Sequence, residues 1–177
     1  MAQIIMNRSD IERSLDRISL EIIERNRGVA NLSLIGIHTG GVFLAERIKD
    51  LIEAREVGTS LPTGTLDITL YRDDWSLISQ NPIVKKSDIG FLLEERRVIL
   101  VDDVIFTGRT IRAAMDALMD YGRPISIQLA VLVDRGGREL PIQPDYVGMS
   151  MTAGKGERVD VLLTEQGGTD KVQLSTN

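Results

Sequence analysis

The feature that most constrains this chain is a run in which an apolar strand leads straight into two acids. Residues 98–112 read VILVDDVIFTGRTIR, with Asp102 and Asp103 directly after four apolar residues. A short polar turn follows, and from Ile111 onward apolar residues recur at helical spacing. Ligands of open parallel sheets bind beyond the carboxyl ends of the strands, so this strand-to-helix junction is predicted to carry a site.

The surrounding pattern predicts an α/β fold with a central, mostly parallel sheet flanked by helices. Two apolar runs with a helix between them form a βαβ unit. A polar segment at about 73–92 has no clear period and is long for a loop, which predicts a lid. No linker divides the 177 residues, so a single domain over 1–177 is expected. The predicted strands are residues 32–38, 65–72, 97–102, 126–133 and 158–165.

A helix is predicted near the start of the chain. Ser9 and Glu12 have the spacing of a capping box, in which each side chain satisfies a free backbone N–H group. Apolar residues then recur with the helical period, and Gly28 is predicted to end the helix.

Composition excludes several function classes. The chain has no cysteine, which excludes disulfides, thiolate catalysis and cysteine-zinc sites. No apolar stretch approaches the ~20 residues of a membrane helix, and the first ten residues lack a signal-peptide pattern, so a cytoplasmic location is expected. The net charge of −5 gives no global signal for a nucleic-acid partner.

The chemistry of the 98–112 junction matches a sugar phosphate. Free N–H groups at a helix N-terminus favour an anion, and Gly108 allows close approach. Thr107 and Thr110 add hydroxyl donors, and Arg109 adds positive charge. The aspartates suit ribose hydroxyls or Mg²⁺, which prefers oxygen ligands. The alternative is a solvated turn residue at Asp103 and a simple helix cap at Thr107.

The run resembles the phosphoribosyl-diphosphate (PRPP) motif of type I phosphoribosyltransferases. The segments DITLYRDD, VILVDDVIFTGRTIRAAMDALMDYGRP and SIQLAVLVDRGGRELPI resemble one branch of them, the PyrR proteins. The likeness extends from ERNRG at 24–28 to DYVG at 145–148. It implies a type I phosphoribosyltransferase fold with a flexible lid and a small hood. It also implies conversion of uracil and PRPP to UMP, and control of pyrimidine operons through RNA.

The resemblance also implies roles for individual residues. Asp102 and Asp103 would act in catalysis and meet Mg²⁺, directly or through PRPP and water, and Arg72 before the lid joins the catalytic candidates. The turn at 38–41 would face diphosphate, the turn at 107–110 the 5′-phosphate, and 133–137 the uracil. The substrate-binding candidates are Thr39, Gly40, Gly41, Val104, Ile105, Phe106, Thr107, Gly108, Arg109, Thr110, Asp134 and Arg135.

Three positions in the site leave alternatives open. Gly40 stands where PyrR proteins usually have arginine, which predicts weaker PRPP binding or slow catalysis unless backbone N–H groups suffice. Phe106 stands where purine-specific relatives often have an acid, so it is either an apolar wall for the base or packing under the turn. His38, the one histidine, either contacts diphosphate or is a satisfied structural residue.

An RNA-binding surface is predicted from Arg13 and Arg17 on the first helix and from Arg138. Acids interleave with the helix arginines, a mixture that is also typical of an ordinary solvated surface. Gly137 stands where the family often has histidine. Three functions therefore stay open. They are a uracil phosphoribosyltransferase, a non-catalytic or weakly catalytic attenuator that senses UMP and UTP and binds pyr leader RNA, and a phosphoribosyltransferase for another base. The resemblance further implies a homo-oligomer.

Overall fold

The computed structural model describes residues 2–73 and 83–176. The helices are α1 (Arg8–Asn26), α2 (Gly40–Arg55) and α3 (Arg109–Met119), with short 3-10 helices at Thr69–Tyr71 and Thr164–Gln166. The strands are β1 (Ala2–Met6), β2 (Leu32–Ile37), β3 (Thr63–Leu66), β4 (Arg97–Ile105), β5 (Ser126–Asp134), β6 (Tyr146–Ser150), β7 (Glu157–Leu162) and β8 (Lys171–Thr176).

A parallel sheet of five strands forms the centre, in the order β3-β2-β4-β5-β6. The inner strands β2, β4 and β5 are largely apolar on both faces, as expected for a sheet covered by helices on both sides. Alternate residues such as Ile99 and Val101 pack with α1 and α2. Their neighbours Val98 and Leu100 pack with α3 on the opposite face. The predicted α/β architecture is therefore confirmed.

A second, smaller sheet joins the two ends of the described chain. Strands β1, β8 and β7 pair antiparallel in that order, and this sheet corresponds to the expected hood. It is attached to α2 through Arg47, whose guanidinium makes bidentate contacts with Glu165 and Asp170. The prediction at 158–165 thus found a real strand, but one that lies outside the central sheet.

The structure corrects two local predictions. The capping box of α1 is formed by Asn7 and Asp10 rather than by Ser9 and Glu12. β1 ends at Met6, and the helix therefore begins two residues earlier than a cap at Ser9 would allow. The strand predicted at 65–72 is β3, which ends at Leu66. Thr69 then donates to Asp67 through both its N–H and its hydroxyl, and this turn begins the 3-10 helix.

Two further predictions concern the lid and the membrane. Residues 74–82 of the predicted lid lie outside the described residues. Residues 83–92 are described, and Asp88 pairs with Thr65 through two backbone hydrogen bonds. Within 2–73 and 83–176, no helix combines the length and the apolar character that crossing a membrane requires.

Candidate active site

The two aspartates lie on β4 itself rather than after its end. β4 continues to Ile105, with Asp102 opposite Val131 and Ile105 opposite Asp134 on β5. Asp102 Oδ1 accepts from the N–H group of Asp103 at 2.9 Å, and Asp103 Oδ1 accepts from that of Val104 at 2.7 Å. The strand therefore holds both carboxylates rigidly, directly before the turn.

The electrostatics of this acid pair are unusual because no cation among the described residues forms an ion pair with it. Asp102 is only 6% exposed, and neither acid has an ion pair within the described parts of the chain. Burial raises the pKa of Asp102 well above its usual range, and the neighbouring charge of Asp103 raises it further. Burial also raises the pKa of Asp103. The pair thus lacks a positive partner that a ligand would have to supply.

The turn after β4 forms a cavity of about 400 Å³ at the N-terminus of α3. Gly108 adopts a left-handed conformation with φ of 92° at the start of the helix, where a side chain would be strained. Thr107 Oγ1 accepts from the N–H group of Arg109 at 3.2 Å. The cavity is lined by Arg72, Val104, Ile105, Phe106, Thr107, Gly108, Arg109, Thr110, Ile111 and Glu139.

Arg109 has acidic partners in addition to its place in this turn. Its guanidinium contacts Asp73 at 2.5 Å and Glu139 at 2.8 Å. Asp73 is the last described residue before the gap, and Glu139 follows β5. Arg109 therefore neutralises carboxylates from two other segments at the edge of the cavity, and its side chain is not reserved for an anion.

The glycine turn, residues 38–41, leads into α2 and packs directly on β4, the strand that carries Asp102 and Asp103. A Cβ atom at Gly40 would lie 2.5 Å from Oδ2 of Asp103, and one at Gly41 would lie 2.2 Å from the carbonyl oxygen of Val101. Glycine is therefore required at position 41, where the contact is with backbone, whereas a side chain at position 40 would displace the Asp103 carboxylate. The close approach brings the predicted diphosphate turn and the acid pair to one place, although they are about sixty residues apart in the sequence.

A second cavity of about 180 Å³ opens beside the glycine turn. Arg72 and Thr110 line both cavities, so the two adjoin. Nε2 of His38 is buried and has no hydrogen-bond partner within the described residues. Lys85 also lines this cavity and donates from Nζ to Oγ1 of Thr39 at 2.7 Å.

The loop after β5 supplies a third side of the site. Arg135 stacks on the ring of Phe106, with its guanidinium carbon 3.9 Å from the ring centroid. A Cβ atom at Gly137 would lie 2.5 Å from the same ring, so glycine makes room for it. Burial opposes ionisation of Asp134, but hydrogen bonds from Arg138 and the N–H group of Gly136 lower its pKa. Phe106 is 45% exposed, and its role toward a base stays a prediction.

Comparison with known proteins decides the family. A sequence model of the phosphoribosyl transferase domain matches residues 3–162. A protein of Deinococcus deserti named bifunctional protein PyrR is 55% identical over 170 residues, which cover 96% of this chain and 92% of that protein. The chain belongs to the PyrR family. A Bacillus cereus protein of the same name is 54% identical over 173 residues, covering 97% and 96% of the two chains.

Solved structures show that this PyrR-family chain has a phosphoribosyltransferase fold. The hypoxanthine phosphoribosyltransferase of Trypanosoma cruzi superposes with a TM-score of 0.73 over 98% of this chain and 96% of that one, at 16% identity. The enzyme of the same name from Staphylococcus aureus gives 0.64 over 86% and 79%, at 20% identity. At these identities the likeness concerns the fold alone.

The three arginines predicted to bind RNA have different surroundings in the PyrR-family chain. Arg13 is 72% exposed and contacts Asp10, whereas Arg17 donates to the carbonyl oxygens of Val147 and Gly148. Arg138 is 13% exposed, and its guanidinium donates to Asp134 and to the carbonyl oxygens of Phe106 and Ile142. Arg138 thus holds the loop after β5 in place, and its prediction as an RNA contact stays untested.

Sequence reasoning missed three residues of this site. They are Lys85, Asp67 and Glu139, and none of them has a motif position or a spacing that marks it as a site residue. Asp67 anchors the loop that carries Lys85, and Glu139 pairs with Arg109. Each lies 18 or more residues from its partner, so no local spacing signalled the contact. The one signal in the sequence is Gly40, which stands where the family usually has an arginine. A diphosphate-binding turn without that arginine needs a positive charge from another segment.

Proposed function

We propose that the chain is a uracil phosphoribosyltransferase that forms UMP and diphosphate from uracil and PRPP, and that it also regulates pyrimidine operon expression by binding leader RNA in response to UMP and UTP. One observation carries the enzymatic part. The acid pair, the turn at 107–110 (the phosphate turn) and the glycine turn all meet at the end of β4. Membership of the PyrR family, whose named relatives are called bifunctional, supports both parts.

The acid pair suits the charge that develops on the sugar. Breaking the bond between ribose and diphosphate leaves positive charge on the ring and negative charge on the leaving group. Asp102 and Asp103 are fixed carboxylates without a cationic partner in the described structure, so they are available to the ribose hydroxyls and to the developing cation. Such preorganised charges are effective because they need no reorganisation during the reaction.

Mg²⁺ fits this site as part of the substrate complex. Within the described residues no three His, Cys, Asp or Glu side chains converge to hold a metal, whereas the acid pair offers carboxylate oxygens. Mg²⁺ is commonly bound by one or two carboxylates together with water and substrate phosphates. Asp102 and Asp103 would hold the ion directly or through water. When bound, Mg²⁺ neutralises charge on the departing diphosphate.

The phosphate and the base take the remaining two sides of the site. The turn from Thr107 to Thr110 would bind the 5′-phosphate through backbone N–H groups and hydroxyls at the N-terminus of α3. Uracil would lie near Asp134 and Arg135, with Phe106 as an apolar wall. An apolar wall offers no partner for the additional polar atoms of a purine, which supports uracil over hypoxanthine as the base.

An assay of UMP formation tests the enzymatic proposal. Purified protein with Mg²⁺ and PRPP is given uracil, hypoxanthine or orotate in parallel, and nucleotide formation is measured. We expect product with uracil alone. Nucleotide from hypoxanthine or orotate, with none from uracil, would overturn the choice of base while leaving the fold assignment intact.

A titration of pyr leader RNA tests the regulatory proposal. Arg13→Ala is compared with Arg8→Ala, since both arginines are exposed on α1 and paired with an acid one turn away. We expect UMP to tighten binding, Arg13→Ala to weaken it, and Arg8→Ala to have little effect. Phosphate contacts should also make the affinity fall as salt rises. An affinity independent of salt and of UMP would contradict the regulatory proposal.

A homo-oligomer is part of the proposal because the resemblance implies one. Sedimentation velocity of the full chain at several concentrations measures its state directly. A species of 19.6 kDa at every concentration would contradict this part and leave the enzymatic proposal in place.

A further inference from the structure

One lysine lies directly on the glycine turn. Lys85 donates from Nζ to Oγ1 of Thr39 at 2.7 Å and lines the same 180 Å³ cavity as His38 and Arg72. Thr39 immediately precedes α2, whose first residues are Gly40 and Gly41. The ammonium group therefore lies at the N-terminal end of a helix, on a turn that itself has no basic side chain apart from His38.

The backbone around Lys85 is fixed to the central sheet. Its N–H group donates to Oδ2 of Asp67, and the N–H group of Asp67 donates to Ser87 Oγ at 2.8 Å. Asp88 continues the attachment by pairing with Thr65 on the edge strand β3. Burial opposes ionisation of Asp67, but hydrogen bonds from Thr69 and from the N–H group of Lys85 lower its pKa. The backbone that carries the Lys85 side chain is thus held in place by hydrogen bonds to Asp67 and Thr65.

The charge of the glycine turn needs a source because Gly40 provides none. Arg109, the cation of the neighbouring phosphate turn, is engaged by Asp73 and Glu139. Within the described residues, Lys85 is the cationic side chain that hydrogen-bonds to the glycine turn. Its partner is a neutral hydroxyl, which costs little to exchange for a phosphate oxygen, and a charged donor binds such an oxygen more strongly.

We propose that Lys85 is a catalytic residue that binds the leaving diphosphate of PRPP and supplies the positive charge that the glycine turn lacks. This inference rests on the proposed function. As the bond between C1 and the diphosphate oxygen breaks, its electron pair stays on the diphosphate. The uracil nitrogen forms the new bond to C1 and releases its proton to water, so uracil and PRPP give UMP, diphosphate and a proton. Lys85 stabilises the charge on the diphosphate oxygens and takes no part in the proton transfer.

Binding measurements on the full chain test this role. Lys85→Ala and Lys85→Arg are compared with Lys86→Ala, because Lys86 is the adjacent exposed lysine and has no side-chain hydrogen bond in the described structure. Titration calorimetry with Mg-diphosphate, PRPP and UMP gives three affinities for each variant, and circular dichroism confirms folding. We expect Lys85→Ala to weaken diphosphate and PRPP by about tenfold, Lys85→Arg to retain most affinity, and UMP to bind all variants alike.

The three ligands separate this inference from the function on which it rests. If Lys85→Ala binds diphosphate as tightly as Lys86→Ala does, the role of Lys85 is wrong while the transferase proposal stands. An equal loss for UMP would also overturn it, since UMP has no group at the glycine turn. If the unmodified protein binds neither PRPP nor UMP, the proposed function itself fails, and the role of Lys85 fails with it.

Discussion

The chain contains two pairs of acids, each with one buried member, and the two buried acids Asp170 and Asp102 have opposite surroundings. In the clamp between α2 and the small sheet, Arg47 contacts Glu165 and Asp170 through paired hydrogen bonds of 2.6–2.9 Å. Hydrogen bonds from Arg47 lower the pKa of Asp170 to about 2 despite its burial. On β4, burial raises the pKa of Asp102 and of Asp103, and no described cation answers them.

The difference separates structural acids from acids reserved for a ligand. Asp170 is 4% exposed and Asp102 is 6% exposed, so burial alone does not distinguish the two pairs. What differs is the partner, because Arg47 pairs with both acids of the clamp whereas no cation in the described ranges pairs with Asp102 or Asp103. A buried charge without a partner destabilises the folded protein, and such a group is a candidate for function.

The largest expected effect is a loss of catalytic rate when the Asp102–Asp103 pair on β4 is altered. Asp103→Asn should lower the rate of UMP formation about a thousandfold, or ~4 kcal/mol in the transition state, because it removes a charge aimed at the ribose. The substitution keeps the shape and should not lower the free energy of unfolding. Asp116→Asn, on the exposed face of α3, is the matched control. Steady-state kinetics and urea unfolding measure the two quantities, and a stable Asp103→Asn enzyme of normal rate would break the comparison.

In the clamp we expect the reverse, a loss of stability without a loss of catalytic rate. Arg47→Met leaves Asp170 buried and unpaired, so the free energy of unfolding should fall by about 3 kcal/mol. Catalysis in the folded fraction should change little. Arg112→Met removes an arginine from an exposed pair on α3 and serves as the control, with no measurable loss expected. A stable Arg47→Met protein would mean that the clamp is not structural.

The three inner strands β2, β4 and β5 were predictable because they are nearly continuous apolar runs. β4 and β5 were located to within a few residues, and the helix between them followed from its period. β1 and β8 were missed because they pair with each other from opposite ends of the chain and have no long apolar run. β6 was missed because it is only five residues long and contains Gly148.

The candidate site was predictable where one segment carries the chemistry. Asp102, Asp103 and the turn to Thr110 lie together in the sequence. The contacts of Arg109 with Asp73 and Glu139, and of Lys85 with Thr39, join segments that are 30 to 46 residues apart. Arg138 is a similar case, because tertiary packing gives it the partners that make it a structural residue. Those partners cannot be read from the residues that flank it in the sequence.

A pH series sharpens the comparison because the two pairs should respond with opposite signs. The pKa of Asp170 is lowered by Arg47, so its contribution is present above its unfolded pKa near 4 and is lost as pH falls toward about 2. The contribution is roughly 1–2 kcal/mol after allowance for solvent screening. The pKa of Asp102 is raised by burial, so Asp102 costs stability as pH rises above 4.

Urea unfolding of Asp170→Asn and Asp102→Asn at several pH values measures both signs. Relative to the unmodified protein, Asp170→Asn should be less stable at pH 7, with a gap that shrinks on acidification toward about 2. Asp102→Asn should be more stable at pH 7, with a gap that shrinks as pH approaches 4. Gaps of the same sign for both variants would contradict the distinction.

The smallest expected effect comes from giving the strand pair an arginine of its own. Position 40 is the natural place, since a Cβ atom there would lie 2.5 Å from Asp103 Oδ2 and must displace that carboxylate slightly. Gly40→Ala has the same displacement without the charge, so it is the proper reference for Gly40→Arg. We expect Gly40→Arg to bind PRPP about fivefold more tightly than Gly40→Ala, or ~1 kcal/mol, because the guanidinium adds a charged donor near the diphosphate. Calorimetry with Mg-PRPP measures the difference. Equal affinities would mean that the added arginine pairs with Asp103, as Arg47 pairs with Asp170, and that Gly40 does not limit PRPP binding in this chain.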